Sequence, residues 1–386
     1  MEKWSVVACD QFTDDAEYWR RVDEYVGAAP STLRMILPEA DIGRGDVAER
    51  IDRIDETMEE YMRGGIFETH RGAVFYVERE QSGGLKRRGI ICALDLTQYD
   101  YSPGSGSLIR ATEKTVAERI PPRVAIREGA ALELPHVVVF IDDAKNRVIE
   151  PLSTEKSEMK KLYGFSLMEG GGRIDGWEIS ERQKARLFSD VGALEENTPM
   201  LYAVGDGNHS LAAAKALYEK QREGLSDDEW KKLPSRFALA EIVSLRDPAI
   251  IFKSIHRALS GLEPELVLRA LRPLCESAET GNIKWMTSGG SGSFSFSDGA
   301  ALPTRALQDF LDAYVEKNGG SVHYVHGGAA LKKLCRDGNT IGFDLPDSGK
   351  GELFSLVMER GPLPRKTFSV GRATDKRYYL ESRRIR

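Results

Sequence analysis

The chain has 386 residues, 41% hydrophobic and 30% charged, with a formal net charge of −6. That length suits one large domain or two ordinary ones, and the composition is that of a globular protein. The longest apolar runs, such as residues 135–141, are too short to span a bilayer, and the start MEKWSVVACDQF reaches Asp10 without a signal-peptide core, so a cytoplasmic protein with no membrane partner is expected. Cys9, Cys92, Cys275 and Cys335 are scattered without a CxxC pair and read as buried thiols, not disulfides. Charge is uneven. Residues 360–386 carry nine Lys/Arg against two acids, and residues 110–127 carry five against two. Two basic segments in an acidic protein argue against nucleic-acid binding and fit a pocket for a small anion. A solvated basic tail is the other reading.

In chain order, WSVVACD reads as a first strand ending at Asp10. Tyr18, Trp19, Val22, Tyr25 and Val26 then recur at helical spacing. Residues 46–63 form a clearer helix, with Val47, Ile51, Ile54, Met58 and Tyr61 on one stripe. Residues 71–98 read as a hairpin around a Ser-Gly-Gly turn. PHVVVFIDD and RVIEPL read as a second hairpin, turning at residues 143–146. YGFSLMEGGGRIDGWEIS is strand-like around Gly170–Gly172, a tight turn and not a phosphate loop, because no helix pattern opens behind it. A helix over 180–195 leads to the strand MLYAV. Beyond Asp247, helical patterns at 263–278 and 304–317 flank a hairpin with alternating Phe294 and Phe296. NTIGFDLP is strand-like and 350–359 helical. The expected fold is α+β or mixed α/β, with hairpins and interleaved helices. The expected division is residues 1–246 as a catalytic region and 247–386 as an α+β region whose basic tail is placed to complete the site.

The chemistry concentrates at LYAV-GDGNHS-LAAAKALYE, residues 201–219. A glycine before a helix lets an anion approach backbone N–H groups that lack intrahelical partners, at the positive end of the dipole. Asp206 is placed to coordinate Mg²⁺ or orient a hydroxyl, His209 to donate to a phosphoryl oxygen, and Asn208 and Ser210 to add donors. A simple cap by Asp206 or Asn208 is the alternative. The chain has no GxxxxGK[ST] loop, no HExxH and no GxSxG elbow. PGSGSLIRATEKT, residues 103–115, is a second Gly/Ser turn, followed by Arg110, Glu113, Lys114 and Thr115. His323 and His326 read as a structural pair, and a hard, oxygen-bound Mg²⁺ is the better metal expectation.

DGNHS before a helix resembles the DGHHR box of the ParB/sulfiredoxin-like superfamily, which includes free-serine kinases. WSVVACDQFT with EYW, LIRATEKTVAERIPPR (108–123), GDGNHSLAAAK (205–215) and GPLPRKTFSVG (361–371) together resemble the domain of unknown function family 1015 over nearly the whole chain. The resemblance implies a ParB/sulfiredoxin-like core and a phosphotransferase. Its acceptor would be free L-serine and its donor pyrophosphate or a nucleotide, or it would run the reverse reaction on O-phosphoserine. Asp206, Gly207 and His209 match the box, while Asn208 replaces its first His and Ser210 its Arg. Cations elsewhere must then grip phosphate, and Arg110, Lys114, Arg123, Arg365 and Lys366 are available. Glu113 stands in TEKT, which resembles the family's HExT motif. Glu113 or Asp206 is the expected base, and Asp10 the group for the serine amino end or the metal. The alternatives are a phosphoserine phosphatase-like hydrolase and a ParB-like nucleotide- or DNA-binding regulator. Nothing in the sequence speaks to oligomeric state.

Overall fold

The computed structural model describes the chain apart from residues 14, 39–40, 42–44, 82, 135, 278–280, 298–302, 348 and 365, and the side chains of residues 10 and 277. It divides into two compact units. The first comprises Met1–Ile251, Gly351–Pro362 and Gly371–Arg386, and the second Phe252–Lys350 and Leu363–Val370. A cut at 246/247 would give residues 371–386 to the second region, whereas they pack in the first unit.

The first unit is built on a mixed sheet. Its strands are β1 (Phe75–Glu80), β2 (Lys86–Asp95), β3 (Tyr99–Asp100), β4 (Ile109–Ala111), β6 (Val138–Ile141), β7 (Lys160–Ser166), β8 (Arg173–Glu178), β9 (Tyr202–Asp206) and β10 (Phe237–Ser244). The order is β3-β4-β9-β6-β10-β2-β1-β8-β7. A short strand β5 (Leu132–Glu133) lies outside this sheet and pairs with Arg383–Arg384. β1 and β2 form the expected hairpin, with Phe75 opposite Ile91, and β7 and β8 form another around the triple glycine. β3, β4 and β9 run parallel side by side, so their C-terminal ends share one edge. The helix Asn208–Arg222 follows β9 and buries Leu211, Ala212, Ala213, Ala214, Leu217 and Tyr218. Each large apolar side chain buried there contributes about 1.5–3 kcal/mol.

Three expectations are corrected. WSVVACD forms no sheet strand but a single bridge from Val6 to Tyr379, followed by a 3-10 turn over Asp10–Phe12. Its buried Val6 and Val7 pack in a core shared with the C-terminal Tyr378, Tyr379 and Leu380. RVIEPL does not return as a strand. The Asp143 carboxylate accepts from the N–H groups of Lys145, Arg147 and Val148, and Pro151 then sits in the first turn of a helix, Glu150–Thr154. Cys275 lies in a strand, not a helix, because the helix begun at Pro264 ends at Leu271, ahead of Pro273.

Residues 371–386 are held by two buried arginines. Arg79 donates to the carbonyls of Gly171, Thr374 and Lys376, and Arg87 to that of Asp375. Arg87 also makes a bidentate pair with Glu241, 3.0 Å on each side, and Arg377 reaches the same carboxylate at 3.4 Å. Gly171 belongs to this packing, since a Cβ there would meet the Tyr378 hydroxyl at 2.3 Å. A solvated basic tail is therefore not what these residues form.

The second unit is antiparallel. Its strands are β11 (Phe252–Ser260), β12 (Cys275–Ser277), β13 (Ile283–Met286), β14 (Ser291–Phe296), β15 (Ser321–His326), β16 (Thr340–Asp344) and β17 (Phe368–Val370). The order is β12-β14-β13-β16-β11-β15, with β17 also on β11. Leu307 and Leu311 of the helix Pro303–Asn318 pack with Ile283, Phe294, Ile341 and Phe343 in its core.

Candidate functional site

The turn after β9 has no room for side chains at its glycines. A Cβ at Gly205 would sit 2.2 Å from the Phe140 ring. Gly207 has φ 83° and ψ 26°, in the left-handed region, and a Cβ there would lie 3.0 Å from Val137 Cγ2. No side chain caps the helix that begins at Asn208, so the alternative of a simple cap is not met. Its positive end faces the turn instead.

Asp206 uses both oxygens. Oδ1 accepts from the Gly207 N–H at 3.1 Å, and Oδ2 lies 3.1 Å from Lys376 Nζ. The Lys376 side chain is only 10% exposed, and its backbone carbonyl is fixed by Arg79. The cation that the C-terminal segment delivers to the turn is therefore Lys376, which the sequence did not single out.

The TEKTV segment is stitched across the same helix start. The Thr112 N–H donates to Asn208 Oδ1 at 3.3 Å, the Thr112 hydroxyl donates to the Val204 carbonyl at 2.6 Å, and the Val116 N–H donates to His209 Nε2 at 3.1 Å. These bonds bring Glu113, Lys114 and Thr115 to the turn. Glu113 is half-buried and Lys114 exposed, while the Thr115 Oγ1 is buried without a hydrogen-bond partner. A His209 ring that accepts at Nε2 carries its proton on Nδ1 when neutral, an assignment made from the hydrogen-bond pattern. His209 is thereby a donor through Nδ1 and not a base through Nε2. Ser210 Oγ lies 3.2 Å from His136 Nε2, and His136 Nδ1 lies 2.8 Å from the Tyr379 hydroxyl. This Ser-His-Tyr chain was also missed, since residues 74 and 169 positions away in sequence carry no local signal of it. Burial pushes the Cys9 thiol up to about 11, against the pull of Lys376 and with a smaller push from Asp206, so Cys9 stands within electrostatic reach of that pair.

Arg110 is directed away from the turn. Arg110 donates from Nε to the Ser107 carbonyl (2.8 Å) and from Nη2 to the Pro199 carbonyl (2.7 Å). Both carbonyls precede β4 and β9, at the end of those strands opposite the turn. Burial lowers the Arg110 pKa from its ordinary value. Arg123 donates to the Arg119 carbonyl on the helix Ile120–Glu128. Lys366, at φ 57°, belongs to the second unit. Arg365 and the Asp10 side chain lie outside the described residues. The residues present do not fit a protein-held Mg²⁺. Both Asp206 oxygens are engaged, one by a cation, and the described residues contain no group of three or more His, Cys, Asp or Glu able to hold a metal ion.

The family described as protein of unknown function (DUF1015) matches residues 1–336, and the chain belongs to it. No curated protein matches the chain. Among solved structures it is similar to SbnI with a C-terminal truncation from Staphylococcus aureus, at 10% identity over 73% of this chain and 82% of that one, TM-score 0.41. It is similar to a conserved hypothetical protein from Pyrococcus furiosus, at 11% identity over 76% and 95%, TM-score 0.42. It is also similar to a free serine kinase in complex with AMP, at 11% identity over 75% and 90%, TM-score 0.42. No helix among the described residues is long and apolar enough to cross a membrane.

Proposed function

We propose that the protein is a phosphotransferase acting on the hydroxyl of a small amino acid. The specific reading is a free L-serine kinase using pyrophosphate, or the reverse reaction on O-phosphoserine. The observation that carries it is the meeting, at one uncapped helix start, of the Asp206–Lys376 pair, the His209 ring and the Glu113–Thr115 segment. Phosphoryl transfer asks for an aligned hydroxyl and compensation of charge on the moving group. On this reading the helix start at Gly207 and Asn208, with Lys376, Lys114, Thr115 and Ser210, holds the phosphates. His209 donates from Nδ1 to a phosphoryl oxygen. Glu113 takes the acceptor's proton. Asp10 takes the serine ammonium group. Mg²⁺, where needed, arrives with the donor's phosphates.

Phosphorus NMR tests this. Protein with Mg²⁺ and L-serine is offered pyrophosphate, ATP or ADP in separate tubes, beside a tube with O-phosphoserine alone. A phosphoserine resonance with one donor is expected, and it names that donor. Phosphate released from phosphoserine alone would replace the kinase by a hydrolase, and no change in any tube would remove serine. Glu113→Gln is expected to lower turnover by at least 100-fold while phosphate binding persists. Wild-type turnover in that variant would overturn the base assignment.

A further inference from the structure

A cavity lies in the first unit, at the sheet edge formed by β3 and β4. Its volume is about 270 Å³, and it is lined by Asp100, Ser102, Gly104, Arg110 and residues 357–362 among others. This is smaller than the roughly 300–1,000 Å³ of pockets for drug-sized ligands. Asp100 and Arg110 are register partners on adjacent parallel strands, so they share a sheet face. They nonetheless form no ion pair. Arg110 leans toward the carbonyls of Ser107 and Pro199, and Asp100 toward the Ser102 N–H at 2.9 Å. Arg110 is 9% exposed, and its third nitrogen, Nη1, has no hydrogen-bond acceptor among the described residues. Burial pushes the Asp100 carboxyl up, but the Ser102 amide, the Ser102 and Ser105 hydroxyls and the charge of Lys215 together outweigh it and hold the group below its usual range, hence charged. The cavity also receives the carbonyl end of the helix Leu353–Arg360, where the Gly361 N–H satisfies only Val357. That end carries partial negative charge. The lining includes two acids, Asp100 and Glu359, and two arginines, Arg110 and Arg360. A balanced lining with separated poles suits a dipolar ligand and not a simple anion.

We propose that this cavity binds a small zwitterionic α-amino acid, its carboxylate on Arg110 Nη1 and its ammonium group between Asp100 and the carbonyl end of the helix Leu353–Arg360. None of the residues lining this cavity is among those gathered at the Asp206 turn. The site does not depend on the reaction proposed above.

Calorimetric titration of the full chain with glycine and L-alanine tests it, since neither carries a hydroxyl to phosphorylate. Saturable binding is expected, with acetate and N-acetylglycine at least tenfold weaker. Arg110 supports two loop carbonyls and its removal risks the fold, so the informative variant is Asp100→Asn. That variant is expected to weaken glycine at least tenfold and leave acetate unchanged, while Asp206→Asn leaves glycine affinity as it was. Absence of binding at 20 mM, acetate as tight as glycine, or an Asp100→Asn protein with wild-type affinity would each overturn the proposal. So would loss of glycine binding in Asp206→Asn alone, which would place the ligand at the turn.

Discussion

Gly205 and Gly207 act through what they lack. A methyl group at Gly205 enters the Phe140 ring, and one at Gly207 adds left-handed strain to contact with Val137. Gly205→Ala should cost about 1–3 kcal/mol through overpacking, read as a lower urea midpoint with an unchanged slope. An unshifted midpoint would mean that Phe140 can move aside. Lys376 makes the opposite case, a residue defined by one partner. Its pair with Asp206 is shielded on the lysine side and partly open on the aspartate side. A double-mutant cycle over Asp206→Asn and Lys376→Met should return a coupling of about 1 kcal/mol in stability. Phosphate affinity should fall further in Lys376→Met than in Asp206→Asn, because only the first removes a cation. Equal losses would count against Lys376 as a phosphate ligand.

At the scale of elements, the C-terminal segment is fixed by charge buried among strands. Burial drives the Glu241 carboxyl up, but Arg87 and Arg377 prevail and hold it below the ordinary range. A carboxyl depressed in the folded state stabilises fully above its unfolded pKa of about 4.3 and loses that contribution as pH falls through the folded value. Stability should therefore be flat on this account near neutrality and decline below about pH 4. Glu241→Gln should cost about 3–5 kcal/mol, by leaving the buried Arg87 without a carboxylate while Arg377 keeps Glu381, and should flatten the acid limb. Denaturant melts at pH 7 and pH 3.5 check both, and an acid limb as steep as wild type would assign it to other carboxylates. The element boundaries were largely legible beforehand. Ser180 and Gln183 form a capping box ahead of Glu181–Glu195, and the apolar stripe of residues 46–63 matches the helix Val47–Arg63. The first segment was not legible, since four apolar residues in a row look alike whether they join a sheet or pack beside the C-terminal segment.

For the whole molecule, residues 371–386 belong to the core of the first unit. Trp4 Nε1 donates to the Leu380 carbonyl, Ser5 Oγ and Val6 O bond to Tyr379, and Tyr378, Leu380 and Ile385 are buried. A chain ending at Val370 should lose its cooperative melt and bind a hydrophobic dye. A truncated protein melting within a few degrees of the full chain would show the segment to be dispensable.

Sequence alone determined the local grammar. The Gly-Asp-Gly break between an apolar strand and an alanine-rich helix identifies the turn, because backbone conformation and helix polarity are set by neighbouring residues. It also put TEKT forward as a second site segment. What only the tertiary structure decided is which charges meet. Arg110 and Lys114 are four residues apart, yet Arg110 turns to the far end of its strand while Lys114 stays at the turn. Lys376, 170 residues from Asp206, arrives beside it because Arg79 and Arg87 hold the intervening backbone. Ion pairs and hydrogen-bond chains depend on distance in space, and the sheet order that sets that distance is a property of the folded whole.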